Sequence, residues 1–193
     1  GQYMEHGAAN PATNRVPFIV RWPGLTDGAA GRAVDDLALN IDFAPTVADA
    51  LGLKVPAGWA GRSLAPLLRG GALERPRDHI VFSHGLHTRQ RSVFGGRYLY
   101  TRTYHPSTYR YEPKMLFDLQ EDPHQTTDLS QREPDKLAEL DACLDAWERG
   151  SVGKTGRSDP MRDLQRDAPT VLGTPAAYLE RLRREGRAGD ARR

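Results

Sequence analysis

A single cysteine, Cys143, stands among 193 residues. One thiol excludes an internal disulfide and any multi-cysteine zinc site, and it leaves the compartment, cytoplasmic or periplasmic, open. Long apolar runs are also missing. The longest are a handful of residues, far short of the roughly 20 that a membrane-spanning helix needs, so no membrane partner is expected. No basic segment followed by an apolar one opens the chain as a secretory signal would. An excess of one charge is lacking too. Lysine plus arginine number 27 and aspartate plus glutamate 25, a net of +2. A dedicated nucleic-acid binder shows a strongly basic face instead, so no nucleic-acid partner is expected. Lysine is confined to Lys54, Lys114, Lys136 and Lys154, and arginine carries most of the positive charge. Aromatic residues make up 8% and hydrophobic residues 38%, with a mean hydropathy of −0.62. The chain is lean in core material yet long enough to bury a sizeable core.

The first fifteen residues form a Gly-, Asn- and Pro-containing loop that reads like the interior of a larger protein. Val16–Trp22 (VPFIVRW) is apolar, β-branched and aromatic and stops at Pro23-Gly24, which predicts a strand and a turn. Val34–Asn40 is a weaker extended segment. Asp42 is placed to cap a helix through Leu51, with Pro45 in its first turn and Gly52 as its stop. Phe43, Val47, Ala50 and Leu51 fall on one face of it. A short helical turn, framed by Gly61 and Gly70, follows.

After a charged connector at 70–78, the period shortens. His79–Ser83, Arg91–Phe94, Arg97–Thr103 and Met115–Leu119 read as four strands, the middle two joined by Gly95-Gly96 in a hairpin. Pro134–Arg149 is the clearest helix: Leu137, Leu140, Leu144 and Trp147 recur at three, four and three residues. Such a helix covers one face of the sheet. The basic but mixed-sign tail offers a last short helix after Thr174-Pro175.

Single motifs carry little chemistry here. Gly150-Ser151-Val152-Gly153-Lys154-Thr155 is half a phosphate loop, but the required earlier glycine is Glu148 and no strand precedes it. His84 and His87 stand three apart after a strand with no third metal ligand nearby, and zinc needs three or four. With Arg89 and Arg91 they form instead a loop able to greet an anion, or an ordinary polar loop. Cys143 sits within the long helix without a basic neighbour, as a half-buried core residue. No nucleophile elbow supports a Ser/His/Asp triad.

Five strings occur in order: RVPFIVRWPG, NIDFAPTVADALGL, GRSLAPLLRG, RSVFGGRYLY and LFDLQEDPHQTTDLS. Together they resemble the C-terminal portion of a type I, formylglycine-dependent sulfatase of the alkaline-phosphatase-like superfamily, over about residues 1–149. The resemblance implies an α+β chain. The end of an α/β sulfatase core at 1–70 would be followed by a small four-stranded antiparallel sheet with its covering helix at 71–150, then a basic tail at 151–193. It implies hydrolysis of sulfate esters or sulfamates in a full-length parent, with formylglycine and calcium or magnesium supplied there and a sulfated small molecule or sugar as substrate.

This chain departs from that pattern. It has no Cys/Ser-x-Pro/Ala-x-Arg motif and no paired acidic metal ligands, so no cofactor or metal site is expected within it. The N-terminal catalytic domain would be missing, and the chain alone is expected to be inactive. His6 matches the family's His-Gly motif beside the active site, yet the lysine that follows that motif is absent from Ala8–Asn14. His84, His87, Arg89 and Arg91 would form a substrate-contacting wall. The alternative is a non-catalytic sulfatase-like remnant acting as an interaction module.

Overall fold

The computed structural model describes residues 7–85, 88–106, 109–153, 156, 159–163, 176, 180, 183 and 184. These group into two compact units, one of residues 16–80 and one that joins the first fifteen residues to 81 onward. The sequence places a boundary after Gly70, whereas the contacts change owner after Arg15 and again after Ile80.

In the unit of 16–80, a buried carboxylate organises three segments. Asp42 precedes α2 (Phe43–Ala50) at the capping position but makes no side-chain cap bond to it. Its oxygens instead accept from the amides of Leu39 and Arg62, both at 2.8 Å, and from Arg77 at 2.6 and 2.7 Å. The helix is held by Thr46, whose hydroxyl donates to the Asp42 carbonyl and accepts from the Leu64 amide. Leu64 leads into α3 (Ala65–Leu68), which buries Ala65 and Leu67. Gly61 is needed where the chain passes under Ile41, because a Cβ there would lie 2.0 Å from the Ile41 carbonyl oxygen.

Two expectations fail in this unit. The buried face of α2 is Pro45, Thr46 and Ala48, while Phe43 is 59% exposed. The bonds of Thr46 turn the helix away from its apolar stripe. Val16–Trp22 and Val34–Asn40 form no strand. A strand needs a neighbour for its ladder, and none pairs with Val16–Trp22 among the described residues; Ile19 is 91% exposed.

The second unit is built on a sheet in the order β1-β2-β3-β4, from Ile80–His84, Arg89–Phe94, Tyr98–His105 and Lys114–Asp118. The β2–β3 and β3–β4 ladders are antiparallel. Gly96 turns the central hairpin in the left-handed region at φ +86°. Register follows from that turn, with Phe94 opposite Leu99 and Val93 opposite Tyr100.

Alternation then sorts the side chains onto two faces. Val93, Tyr100 and Leu116 meet Leu140 and Leu144 of α4 (Pro134–Ser151), with Leu137, Cys143 and Trp147 packed at the edge. This is the expected core. The helix runs through Gly150, one turn-fraction beyond the expected stop. Before α4, the Leu129 amide bonds the Leu116 carbonyl at 2.7 Å and Asp128 accepts the Leu116 amide at 3.0 Å, so the loop is stitched to β4.

The opposite face carries Gln90, Ser92 and Thr101. Gln90 accepts the Ala9 amide at 3.0 Å, and the Ser92 hydroxyl donates to the Ala9 carbonyl. Asn10 then caps α1 (Pro11–Asn14) through the Thr13 amide at 3.0 Å. Beyond α4 a short helix, α5 (Pro160–Asp163), follows. The helix expected after Thr174 lies outside the described residues except for Ala176, Glu180, Arg183 and Arg184, which are helical.

Candidate functional site

The turn between β1 and β2 gathers polar groups at one end of the sheet. His84 ends β1 and Arg89 begins β2. The Arg89 guanidinium is almost fully buried, with the residue 8% exposed, and its Nη1 donates to the Gly85 carbonyl at 2.8 Å. Its Nε has no hydrogen-bond partner among the described residues. A buried donor left unpaired is costly. The first rung of the β2–β3 ladder is irregular between Arg89 and Gln90, and this shift sets Arg89 opposite His105. Burial lowers the basicity of the His105 imidazole, and the Arg89 charge lowers it further. The imidazole is thereby biased toward its neutral form, able to donate from one nitrogen and accept at the other.

The segment following His6 is anchored at the same end. The Thr88 hydroxyl donates to the Gly7 carbonyl at 2.5 Å. The Tyr109 phenol covers Gly7 so closely that a Cβ there would lie 2.9 Å from the phenolic oxygen, which makes glycine the fitting residue. The Tyr109 hydroxyl is buried without a partner among the described residues. Further along the face that meets Ala9, a cavity of about 290 Å³ is lined by Asn10, Gln90, Thr101, Tyr111 and His124 among others. Gln125, on its wall, holds a left-handed backbone at φ 56°.

Arg91 is placed differently from the expectation. It lies on the α4 face of the sheet and is 4% exposed. Its guanidinium lies 5.4 Å from the centres of both the Tyr104 and Trp147 rings. Nη1 donates to Glu148 at 2.9 Å, and both terminal nitrogens bond Asp159. These ion pairs and hydrogen bonds hold Arg91 more firmly in its charged form, although burial opposes them. The side chain is therefore spent inside the seam between sheet and helix. Burial raises the Tyr104 hydroxyl to about 12, helped by its bond to Glu148. Arg97 bonds Asp118 through Nε and Nη2.

Of the sequence-derived site residues, the structure brings His84 and Arg89 together at the turn and separates Arg91 from them. His6 and His87 lie outside the described residues. Sequence reasoning missed His105, Thr88 and Tyr109. Counting outward from Gly95-Gly96 carries His105 close to Arg89, and only the irregular rung makes them opposite.

The described residues present no donor set for a metal ion or a formylglycine. No three His, Cys, Asp or Glu side chains converge to hold a metal ion among the described residues. Cys143 packs against the core from α4.

The architecture is α+β, a four-stranded sheet crossed by one long helix. A chain solved in work on how Bacteroides thetaiotaomicron metabolises multiple glycosaminoglycans shares this fold. It aligns with a TM-score of 0.51 and 23% identity, covering 62% of this chain and 28% of that one. The chain belongs to the family described as N-sulphoglucosamine sulphohydrolase, C-terminal, which matches residues 9–146. It is similar to the Delta 4,5-hexuronate-2-O-sulfatase of Bacteroides thetaiotaomicron, 33% identical over 163 residues, covering 79% of this chain and 31% of that protein. It is also similar to human steryl-sulfatase, 26% identical over 154 residues, covering 65% of this chain and 26% of that protein. The chain thus spans less than a third of the length of these relatives.

Proposed function

We propose that this chain works as the carboxyl-terminal part of a sulfuric ester hydrolase acting on a sulfated sugar, with the β1–β2 turn as one wall of the substrate pocket. The observation that carries the reading is the buried Arg89, whose Nε faces no acceptor among the described residues while its Nη1 is fixed to Gly85. A guanidinium held in place with a spare N–H suits a sulfate or carboxylate oxygen, because its planar fork matches paired oxygens. His84 and His105 stand at the same sheet end, where burial and the Arg89 charge favour the neutral form of His105, and a neutral imidazole can bond a sugar hydroxyl or ester oxygen. The relative named a Delta 4,5-hexuronate-2-O-sulfatase supports the substrate class.

In this reading the nucleophile, and the calcium or magnesium ion expected with it, come from outside residues 1–193. Arg89 and the imidazoles orient the part of the substrate that does not react, and they exclude water from it. His6, next to Gly7 in the chain, would act on the reacting ester.

The test is a titration of the chain with a heparin-derived disaccharide and with its desulfated counterpart, followed by amide shifts. The reading expects changes at Ser83–Gly85, Thr88–Arg91 and His105 with the sulfated sugar alone, and a loss of at least about tenfold in affinity in Arg89→Gln. Equal responses to the two sugars, or changes elsewhere only, would sink it.

A further inference from the structure

We propose that Asp159–Arg162 is a strap that positions the β1–β2 turn, with Asp159 as its positioning residue. The strap lies beyond residues 9–146, the part shared with the family. It is nonetheless seated by specific bonds. Asp159 Oδ1 accepts from Arg91 Nη2 at 2.7 Å, and Oδ2 pairs with Nη1 of the same guanidinium. Arg162 Nη2 donates to Glu148 at 2.7 Å, and its guanidinium lies 5.5 Å from the centre of the Tyr104 ring. Asp159 also accepts the Met161 amide at 3.0 Å, which fixes the strap's own bend.

The bend delivers Met161 to the turn. A Cβ at Gly85 would lie 3.7 Å from the Met161 sulfur and 3.9 Å from Arg89 Nη1. Strap, turn and the candidate anion-binding cation therefore meet at one point. Gly85 in turn fixes Arg89 through its carbonyl. A bidentate arginine–carboxylate pair adds geometric specificity as well as attraction, so Asp159 locates the strap rather than merely neutralising Arg91.

The charge arrangement allows the strap to leave. It brings one anion, Asp159, and one cation, Arg162, and both bind the Arg91–Glu148 pair. When the strap departs, Arg91 and Glu148 remain paired to each other at 2.9 Å. The seam then holds no unpaired charge, and the turn loses its Met161 support.

The clamp itself stands apart from the substrate reading, but its consequence for Arg89 rests on that reading. The experiment compares amide hydrogen exchange in the full chain and in Asp159→Asn and Arg162→Gln. Each protein is then titrated with a heparin-derived disaccharide. The strap predicts at least about tenfold faster exchange at Gly85, Thr88 and Arg89 in both variants, with Val93, Tyr100 and Leu116 unchanged. The proposal is overturned by an unchanged turn in both variants. It is overturned equally if Asp159→Asn loosens the whole sheet while Arg162→Gln leaves the turn unaltered, since Asp159 then only supports the core. A faster turn with no sugar binding in any of the three proteins supports the strap and removes the substrate wall.

Discussion

Asp42 and Arg77 form a two-pronged ion pair at the centre of residues 16–80, with nitrogen–oxygen distances of 2.6 and 2.7 Å and a fully buried carboxylate. Removing the cation strands a buried charge, and breaking such a pair costs about 3–5 kcal/mol. Arg77→Met is expected to lower the stability of this unit by that amount. Urea unfolding followed by the fluorescence of Trp22 and Trp59 in a Trp147→Phe background measures it. A loss under about 1 kcal/mol, the scale of an exposed pair, contradicts the role.

Acid sensitivity follows from the carboxylates. Burial pulls Asp141 up, but Lys114, Tyr100 and Arg102 outweigh it and bring the group from 3.8 to about 2. A depressed carboxyl gives stability that is complete above the unfolded value and is lost as pH falls through the folded one. The sheet unit is therefore expected to weaken between about pH 4 and pH 2, and Asp141→Asn should flatten that slope in circular dichroism titrations.

His105 adds a second window. Its folded-state value lies below 6.5 through burial and the Arg89 charge. The unfolded chain then binds the proton more readily, so stability is full above pH 6.5 and declines below it. The decline should vanish in His105→Gln, measured as the denaturation midpoint between pH 7 and pH 5. A persistent decline assigns the slope to another group.

Close approach at Gly61 is expected to dominate glycine substitutions. Gly61→Ala places a Cβ 2.0 Å from the Ile41 carbonyl oxygen, a backbone atom that cannot swing aside. Overpacking of this kind costs about 1–3 kcal/mol or more. Gly58→Ala meets nothing within 4 Å and should change the urea midpoint little. Equal effects in the two variants would refute the contact.

The chain alone is expected to leave p-nitrophenyl sulfate intact, with or without calcium. The described residues converge on no metal-holding cluster, and Cys143 is packed in the helix. Metal-dependent release of nitrophenol above a mock preparation overturns this expectation.

Local pattern was a good guide where one residue decides one contact. Leu140 and Leu144 recur at helical spacing, and both are core residues facing Val93, Tyr100 and Leu116. Gly95-Gly96 fixed the hairpin, and counting from it gives the β2–β3 register as far as Gln90. The ordered strings gave the family, and the strand-and-helix reading gave the α+β fold. At the candidate site, the sequence singled out His84 and Arg89 from their place after a strand.

Tertiary structure decided what depends on partners distant in the chain. Arg91 looks like Arg89 in sequence, yet Arg91 pairs with Glu148 and Asp159 on the α4 face, while the irregular rung between Arg89 and Gln90 sets Arg89 opposite His105. Asp42 looks like a helix cap, but Arg77, 35 residues away, draws its carboxylate inward. Val16–Trp22 has a strand's composition and no ladder among the described residues, because β structure requires a neighbouring strand that composition cannot supply. The central hairpin turn and the apolar face of α4 follow from residues close in the chain, so the sequence alone determined them, whereas the face of α2 was decided by the bond between Thr46 and Leu64. The direction of a buried charge is set by whichever opposite charge the fold brings to it, and only the folded chain settles that.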